Sequence, residues 1–253
     1  MVLDNFRLDG KVAIVTGSST GLGQGMSLGL AEAGADIVGV DYVEAAETEE
    51  QVKSLGRRYL PVVADLSTIE PLQRIVDEAV SVFGHVDILV NNAGIIRRTD
   101  AIDFSEKDWD DVMNINIKTV FFFSQVVARQ YLVQKSGGKI ISTASLLSFQ
   151  GGIRVPSYTA SKSGVAGVTR LMANEWAKYG INVNAIAPGY MATNNTAPLR
   201  ADKQRSAEIL GRIPADRWGL PEDLKGAVVF LASAASDYVT GHTLAVDGGW
   251  LAR

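Results

Sequence analysis

Short apolar runs alternate with longer stretches of helical periodicity from one end of this chain to the other, and that alternation limits the fold more than any other feature. Runs at 12–15, 37–40, 60–64, 86–90, 139–142, 181–186 and 244–246 read as strands. Several are apolar at consecutive positions, the pattern of strands covered on both faces. Helical stretches at 22–33, 45–55, 70–83, 106–134, 157–178 and 221–232 separate them. Strand–helix–strand order repeated in this way predicts an α/β, doubly wound (Rossmann) domain, with a seven-stranded parallel sheet and helices on both faces. No Pro/Ser-rich linker, low-complexity tract or internal repeat interrupts residues 1–253, so one domain is the simplest organisation. The least regular part, 189–217, is a long connection near the carboxyl edge of the sheet, where a substrate lid is expected.

Composition narrows the classes of function. A formal net charge of -4 argues against a nucleic-acid or anionic-membrane surface, because both need clustered Lys and Arg. No segment has the ~18 uninterrupted apolar residues of a membrane span. The start of the chain carries Asp4, Arg7, Asp9 and Lys11 where a secretory signal would be apolar, so a cytoplasmic protein is expected. With no Cys and only His85 and His242, neither a thiol nucleophile nor a Cys/His metal site is expected.

Directly after the first strand comes Thr16-Gly17-Ser18-Ser19-Thr20-Gly21-Leu22-Gly23. Glycines between a strand and a helix allow a sharp turn and let a pyrophosphate approach the N–H groups at the helix start. The second strand ends at Asp41, where a carboxylate can accept hydrogen bonds from the adenine-ribose hydroxyls and would repel a 2′-phosphate. Neither Tyr42 nor Val43 offers a cation, so NAD (NADH) is expected over NADP.

The loop at 16–23 is followed, in order, by Asp65, Asn91-Asn92-Ala93-Gly94, Asn116, Ser145, Tyr158-x-x-x-Lys162 and Pro188-Gly189. In these residues the chain resembles the short-chain dehydrogenase/reductase family over essentially its full length. The resemblance implies a catalytic group of Ser145, Tyr158, Lys162 and Asn116, with Asn116 in a helix distortion that orders a water between Lys162 and solvent. It implies cofactor contacts from Gly17, Ser19, Thr20, Gly21, Leu22 and Gly23, and from Asp41, Asp65 and Leu66. Further contacts are implied from Asn92, Ala93 and Gly94 on the adenosine side, Tyr158 and Lys162 at the ribose, and Pro188, Gly189, Met191 and Thr193 at the nicotinamide. A homotetramer is implied as well. Segments 106–113, 149–158, 187–196 and 247–253 resemble the family's sugar-acid dehydrogenases, which implies a deoxy sugar acid of uronate breakdown as substrate. Gluconate, a polyol, a 3-oxoacyl thioester, and an NAD-sensing regulator without turnover are the alternatives.

Tyr158 and Lys162 lie four apart in a helical stretch, so their side chains share one face. A phenol with pKa about 10 is a poor base at neutral pH. A nearby ammonium and a cationic nicotinamide both favour phenolate, so the Tyr158 pKa is expected to fall. Ser145 at the end of the fifth strand can donate to a developing alkoxide; Ser142 and Ser148 are rivals, and the resemblance selects Ser145. An acid substrate needs a cation. Arg154, helped by Gln150, is the first candidate, and Arg97 and Arg98 come next. Finally, 106–134 and 157–178 carry Phe121, Phe122, Phe123, Val126, Val127, Leu171 and Trp176, more apolar residues than one sheet-facing stripe needs.

Overall fold

A computed structural model describes residues 1–253. Its strands are β1 (Val12–Thr16), β2 (Asp36–Asp41), β3 (Tyr59–Val63), β4 (Ile88–Asn91), β5 (Gly138–Thr143), β6 (Ile181–Pro188) and β7 (Thr243–Val246). They form one sheet in the order β3-β2-β1-β4-β5-β6-β7, with every neighbouring pair parallel. The α/β, seven-stranded doubly wound arrangement expected from the alternation is therefore observed.

Successive strand residues point to opposite faces and enter different cores. Val12 and Ile14 join Val38, Leu89 and Ile140 beneath α3 (Leu72–Phe83), α5 (Val120–Gln134) and α6 (Pro156–Trp176). Ala13 and Val15 join Ile37, Val90 and Ile141 beneath α1 (Gly21–Glu32) and α9 (Lys225–Ala232). This double coverage is why the strand runs carry no polar alternation.

The stretch 106–134 is not one helix. α4 (Glu106–Met113) passes into a π-helical segment, Asn114–Thr119, before α5 begins. π segments are rare and concentrate at functional sites. Here the wider turn accompanies side-chain bonds that leave the helix on both sides: Asn116 to Ile95, and the Thr119 hydroxyl to the Leu66 carbonyl at 2.8 Å. The expected surplus of apolar residues is also smaller than the sequence suggested, because Phe123 and Val127 are fully buried in the core under α5.

After β6 the chain leaves the sheet, forms α7 (Ala197–Ala201) and α8 (Lys203–Leu210), and returns so that Met191 and Gly219 form an isolated parallel bridge. α2 (Ala46–Ser54) covers the β2–β3 side. No helix is long and apolar enough to cross a membrane.

Candidate active site

Strand order reverses between β1 and β4, which opens a crevice at their carboxyl ends, the place where open α/β sheets bind ligands. The crevice is stitched by Thr16, whose hydroxyl oxygen accepts from the Asn92 and Ala93 amides at 2.9 Å each. Asn92 Nδ2 donates back to the Thr16 and Gly17 carbonyls at 3.0 and 3.3 Å. The glycines are sterically required. Gly17 has φ +66, and a Cβ on Gly23 would lie 1.9 Å from the Gly17 carbonyl oxygen. The N-cap Thr20 makes no side-chain capping bond and the first turn of α1 has no acid, so its N–H groups are left for an external anion.

Asp41 is buried at the end of β2 and accepts from the Ser19 amide at 3.0 Å and the Tyr42 amide at 2.8 Å. It therefore anchors the glycine loop as well as facing the crevice. Thr48, fully buried on α2, donates to the Ser18 carbonyl at 2.8 Å, and the Tyr59 hydroxyl meets the Ser18 hydroxyl at 3.3 Å. The sequence reading missed Thr16, Thr48 and Tyr59 as supports. A threonine at a strand end beside glycine was the one visible signal. Asp65 is exposed, and its carboxyl is held below the usual range by the amide and hydroxyl of Ser67. The neighbouring Leu66 is buried.

At the next strand end, Ser145 Oγ accepts the Leu147 amide at 3.2 Å, leaving its O–H to donate. The rival serines are occupied: Ser142 is fully buried beside Asn91, and Ser148 donates to the Lys162 carbonyl at 2.6 Å. Tyr158 and Lys162 stand one turn apart on α6, with Lys162 Nζ 5.5 Å from the Tyr158 ring centroid. Lys162 is buried and donates to the Thr143 carbonyl at 2.5 Å; burial lowers its pKa to about 8.

The expected fall of the Tyr158 pKa is not found in the protein by itself. Burial raises it, opposed by a hydrogen bond with Ser145 and by the charge of Arg98. Desolvation prevails because the Lys162 ammonium is turned to the Thr143 carbonyl rather than to the phenol. Asn116, fully buried in the π segment, accepts from the Ile95 amide and donates to the Ile95 carbonyl, both at 2.9 Å, and reaches Ser161 Oγ at 3.4 Å.

Pro188 closes β6, the Gly189 amide donates to the Val246 carbonyl at 2.9 Å, and Met191 is buried. A Cβ on Gly21 would sit 3.6 Å from Thr193 Cγ2, so the segment after β6 returns over the glycine loop. The candidate cations divide. Arg154, with φ +64, pairs with Asp100 at 2.9 Å. Arg97 pairs with Asp108 and Asp111 at 3.3 and 3.7 Å. Arg98 has no carboxylate partner; it donates to the Asn195 carbonyl at 3.2 Å, and its charge reaches Tyr158. Gln150 accepts from the Trp250 indole at 3.3 Å.

A family model described as enoyl-(acyl carrier protein) reductase matches residues 17–251. The 2-dehydro-3-deoxy-D-gluconate 5-dehydrogenase of Escherichia coli (strain K12) is 72% identical over 253 residues, covering 100% of both chains. That of Bacillus subtilis (strain 168) is 53% identical, covering 99% of this chain and 98% of the relative. Among solved structures, a chain from Agrobacterium tumefaciens, provisionally assigned as a 2-deoxy-D-gluconate 3-dehydrogenase and with bound NADP, superposes with TM-score 0.93 at 54% identity, covering 98% of this chain and 99% of that one. A gluconate 5-dehydrogenase from Burkholderia cenocepacia J2315, in complex with NADP and tartrate, superposes with TM-score 0.94 at 40% identity over 100% of both chains.

Proposed function

The chain belongs to the short-chain dehydrogenase/reductase family, an oxidoreductase acting on CH–OH groups with a nicotinamide dinucleotide, and from that premise we propose that it interconverts 2-dehydro-3-deoxy-D-gluconate and 3-deoxy-D-glycero-2,5-hexodiulosonate using NAD(H). The observation that carries the reading is the meeting of Ser145, Tyr158 and Lys162 at the crevice edge, where the charge of Arg98, an arginine free of any acid partner, reaches the phenol. The names of the full-length relatives support the sugar acid.

The bound dinucleotide would supply or accept the hydride. Its pyrophosphate suits the glycine loop at Gly17, Ser19, Thr20, Gly21, Leu22 and Gly23, and its adenosine suits Asp41, Asp65, Leu66, Asn92, Ala93 and Gly94. Pro188, Gly189, Met191 and Thr193 would receive the nicotinamide side. Tyr158 gives its phenolic proton to the carbonyl oxygen in reduction and takes it back in oxidation. Ser145 donates a hydrogen bond to the same oxygen. Lys162 would hold the ribose, and its ammonium, if turned from the Thr143 carbonyl toward the phenol, would favour the phenolate. Asn116 shapes the π segment behind Lys162. Residues 189–217 act as a lid.

Arg98 takes the substrate carboxylate in place of Arg154 and Arg97, whose guanidiniums are held by Asp100 and by Asp108 with Asp111. The buried Asp41 carboxylate supports NAD, since a 2′-phosphate beside it would be repelled. Two solved relatives carry NADP, and this favours NADP as the second reading. A homotetramer would cover the partly buried Phe121, Phe122, Val126 and Trp176 and the exposed Leu171. The cytoplasm, where NAD(H) is available, is the proposed location.

The test follows NADH and NADPH absorbance with the diketo acid, a neutral analogue lacking its carboxylate, 5-ketogluconate and a 3-oxoacyl thioester. The diketo acid with NADH should be the best pair. Arg98→Gln should raise KM for the acid about 10- to 150-fold and leave the neutral analogue nearly unaffected, whereas Arg154→Gln should change neither much. Equal losses on both substrates would remove Arg98 from the carboxylate site.

A further inference from the structure

Distant parts of the chain meet at the Trp250 ring, which is almost wholly buried. Tyr190, next to Gly189, lies 4.7 Å away between ring centroids. The Arg212 guanidinium sits 4.0 Å over the ring. Leu146, just after Ser145, packs in the same cluster with Ile209 and Ile213. Arg253 extends the contact by donating to the carbonyls of Gly211 and Arg212 at 2.7 and 3.2 Å, at the end of α8. The ring thus touches the Ser145 turn, the nicotinamide segment and the lid.

Its one polar atom, Nε1, donates to Gln150 Oε1 at 3.3 Å. An indole nitrogen is a donor only, so its partner must be the amide oxygen of Gln150. That chemistry settles the amide's orientation: the oxygen faces Trp250 and the NH2 faces away, without a hydrogen bond inside the chain. Gln150 is partly exposed in the turn that follows Ser145, where its own amide donates to the Leu146 carbonyl at 3.1 Å.

We propose that Gln150 is a substrate-binding donor for an oxygen of the sugar acid, a carboxylate, carbonyl or hydroxyl oxygen, and that Trp250 is the positioning residue that keeps its NH2 turned outward. The inference rests on the sugar-acid reading above. It implies a polarity of recognition, since Gln150 offers its two N–H donors while its oxygen is engaged by Trp250. It also couples the lid to recognition, because Arg212 stacks on the ring that orients the donor and Arg253 ties the chain beside Trp250 to the Gly211 and Arg212 carbonyls.

Trp250→Phe keeps an aromatic ring and removes the N–H. It should raise KM for the sugar acid about 3- to 10-fold, with kcat and KM for NADH within twofold of the parent. Gln150→Ala should give a similar rise, and the double variant should lose no more than the larger single loss. Gln150→Glu keeps an oxygen for the indole but lacks the outward donor, so it should raise KM at least as much as Gln150→Ala. Thermal melts of each variant accompany the kinetics. Unchanged KM in Trp250→Phe and Gln150→Ala overturns the proposal, as does a multiplicative loss in the double variant. A lower melting temperature with parallel falls in kcat and NADH affinity makes Trp250 merely structural and also overturns it. An unmodified enzyme that consumes no NADH with the sugar acid overturns the functional reading, and this inference with it; a parent active on the acid beside silent variants overturns this inference alone.

Discussion

Around the glycine loop, nearly every polar contact is made by main chain or by short side chains at strand ends, whereas around Tyr158 and the segment after β6 the polar groups are mostly long side chains reaching across loops. Asp41, Thr16 and Asn92 hold backbone atoms at fixed distances. Arg97, Arg98, Arg154 and Gln150 reach instead toward Asp108, Asn195, Asp100 and Trp250. The two regions bury charge differently. The Asp41 carboxylate receives two amide N–H bonds, while Lys162 is buried with the Thr143 carbonyl as its hydrogen-bond acceptor. A dinucleotide is a constant ligand and suits a backbone cradle. A substrate differs among related enzymes, and side chains on loops can change without disturbing the sheet.

The largest effect expected from this contrast is at Tyr158. Tyr158→Phe should lower turnover at least about 100-fold while leaving NADH binding, read by fluorescence titration, within a factor of two. The cofactor region would then be shown to work independently of the proton donor. Retention of more than about a tenth of the parental rate would break the acid–base assignment.

A smaller effect is expected on the other side of the comparison. Asp41→Ala should weaken NADH and move the NADH/NADPH preference by about 5- to 150-fold, corresponding to roughly 1–3 kcal/mol, through loss of charge repulsion and of a ribose hydrogen bond. Because Asp41 also anchors the Ser19 amide, some of the NADH loss should come from the loop itself. Equal kcat/KM with both dinucleotides in the unmodified protein would remove Asp41 as the discriminator.

The last effect, no larger than that at Asp41, concerns stability and sharpens the contrast between the buried charges. Lys162 titrates near 8 when folded and near its ordinary 10.5 when unfolded. Between those values the unfolded chain binds more protons, so stability rises with pH across that window, and below it the full cost of burying the ammonium is present. Lys162→Met should therefore be more stable than the parent at pH 7, by about 1–3 kcal/mol in denaturant titration, with the advantage fading toward pH 10.5. A constant difference across that range would show that the cation is solvated in the folded protein.

How much of this could be read from the residues alone varied by region. Strand runs, the loop at 16–23, Asp41 and the Tyr158–Lys162 pair were all legible because each depends on periodicity or on neighbours within a few residues. The stretch 106–134 was read as one helical stretch with a distortion at Asn116 that only the family resemblance implied; the π segment lies there, and the bonds accompanying it run to Ile95 and Leu66, outside any local window. Arg154 was preferred over Arg98 on its place before the helix of Tyr158, and Asp100, which claims its guanidinium, lies 54 positions earlier in the chain. The Tyr158 pKa was expected to fall through an ammonium four residues away and a cationic nicotinamide; in the protein by itself the first does not act, because where that ammonium pointed depended on a β5 carbonyl.

By itself, then, the sequence determined the layered α/β architecture, the glycine loop at the crevice and the placing of Tyr158 and Lys162 on one helix face, because hydrophobic period, glycine spacing and helical i,i+4 geometry are properties of the local chain. Tertiary structure alone decided which arginine is left free, which way the Gln150 amide faces and which charge reaches the phenol. Each of those depends on a partner remote in sequence, as with Gln150 and Trp250, 100 residues apart, and ion pairing, amide orientation and desolvation take their values only once the chain has folded.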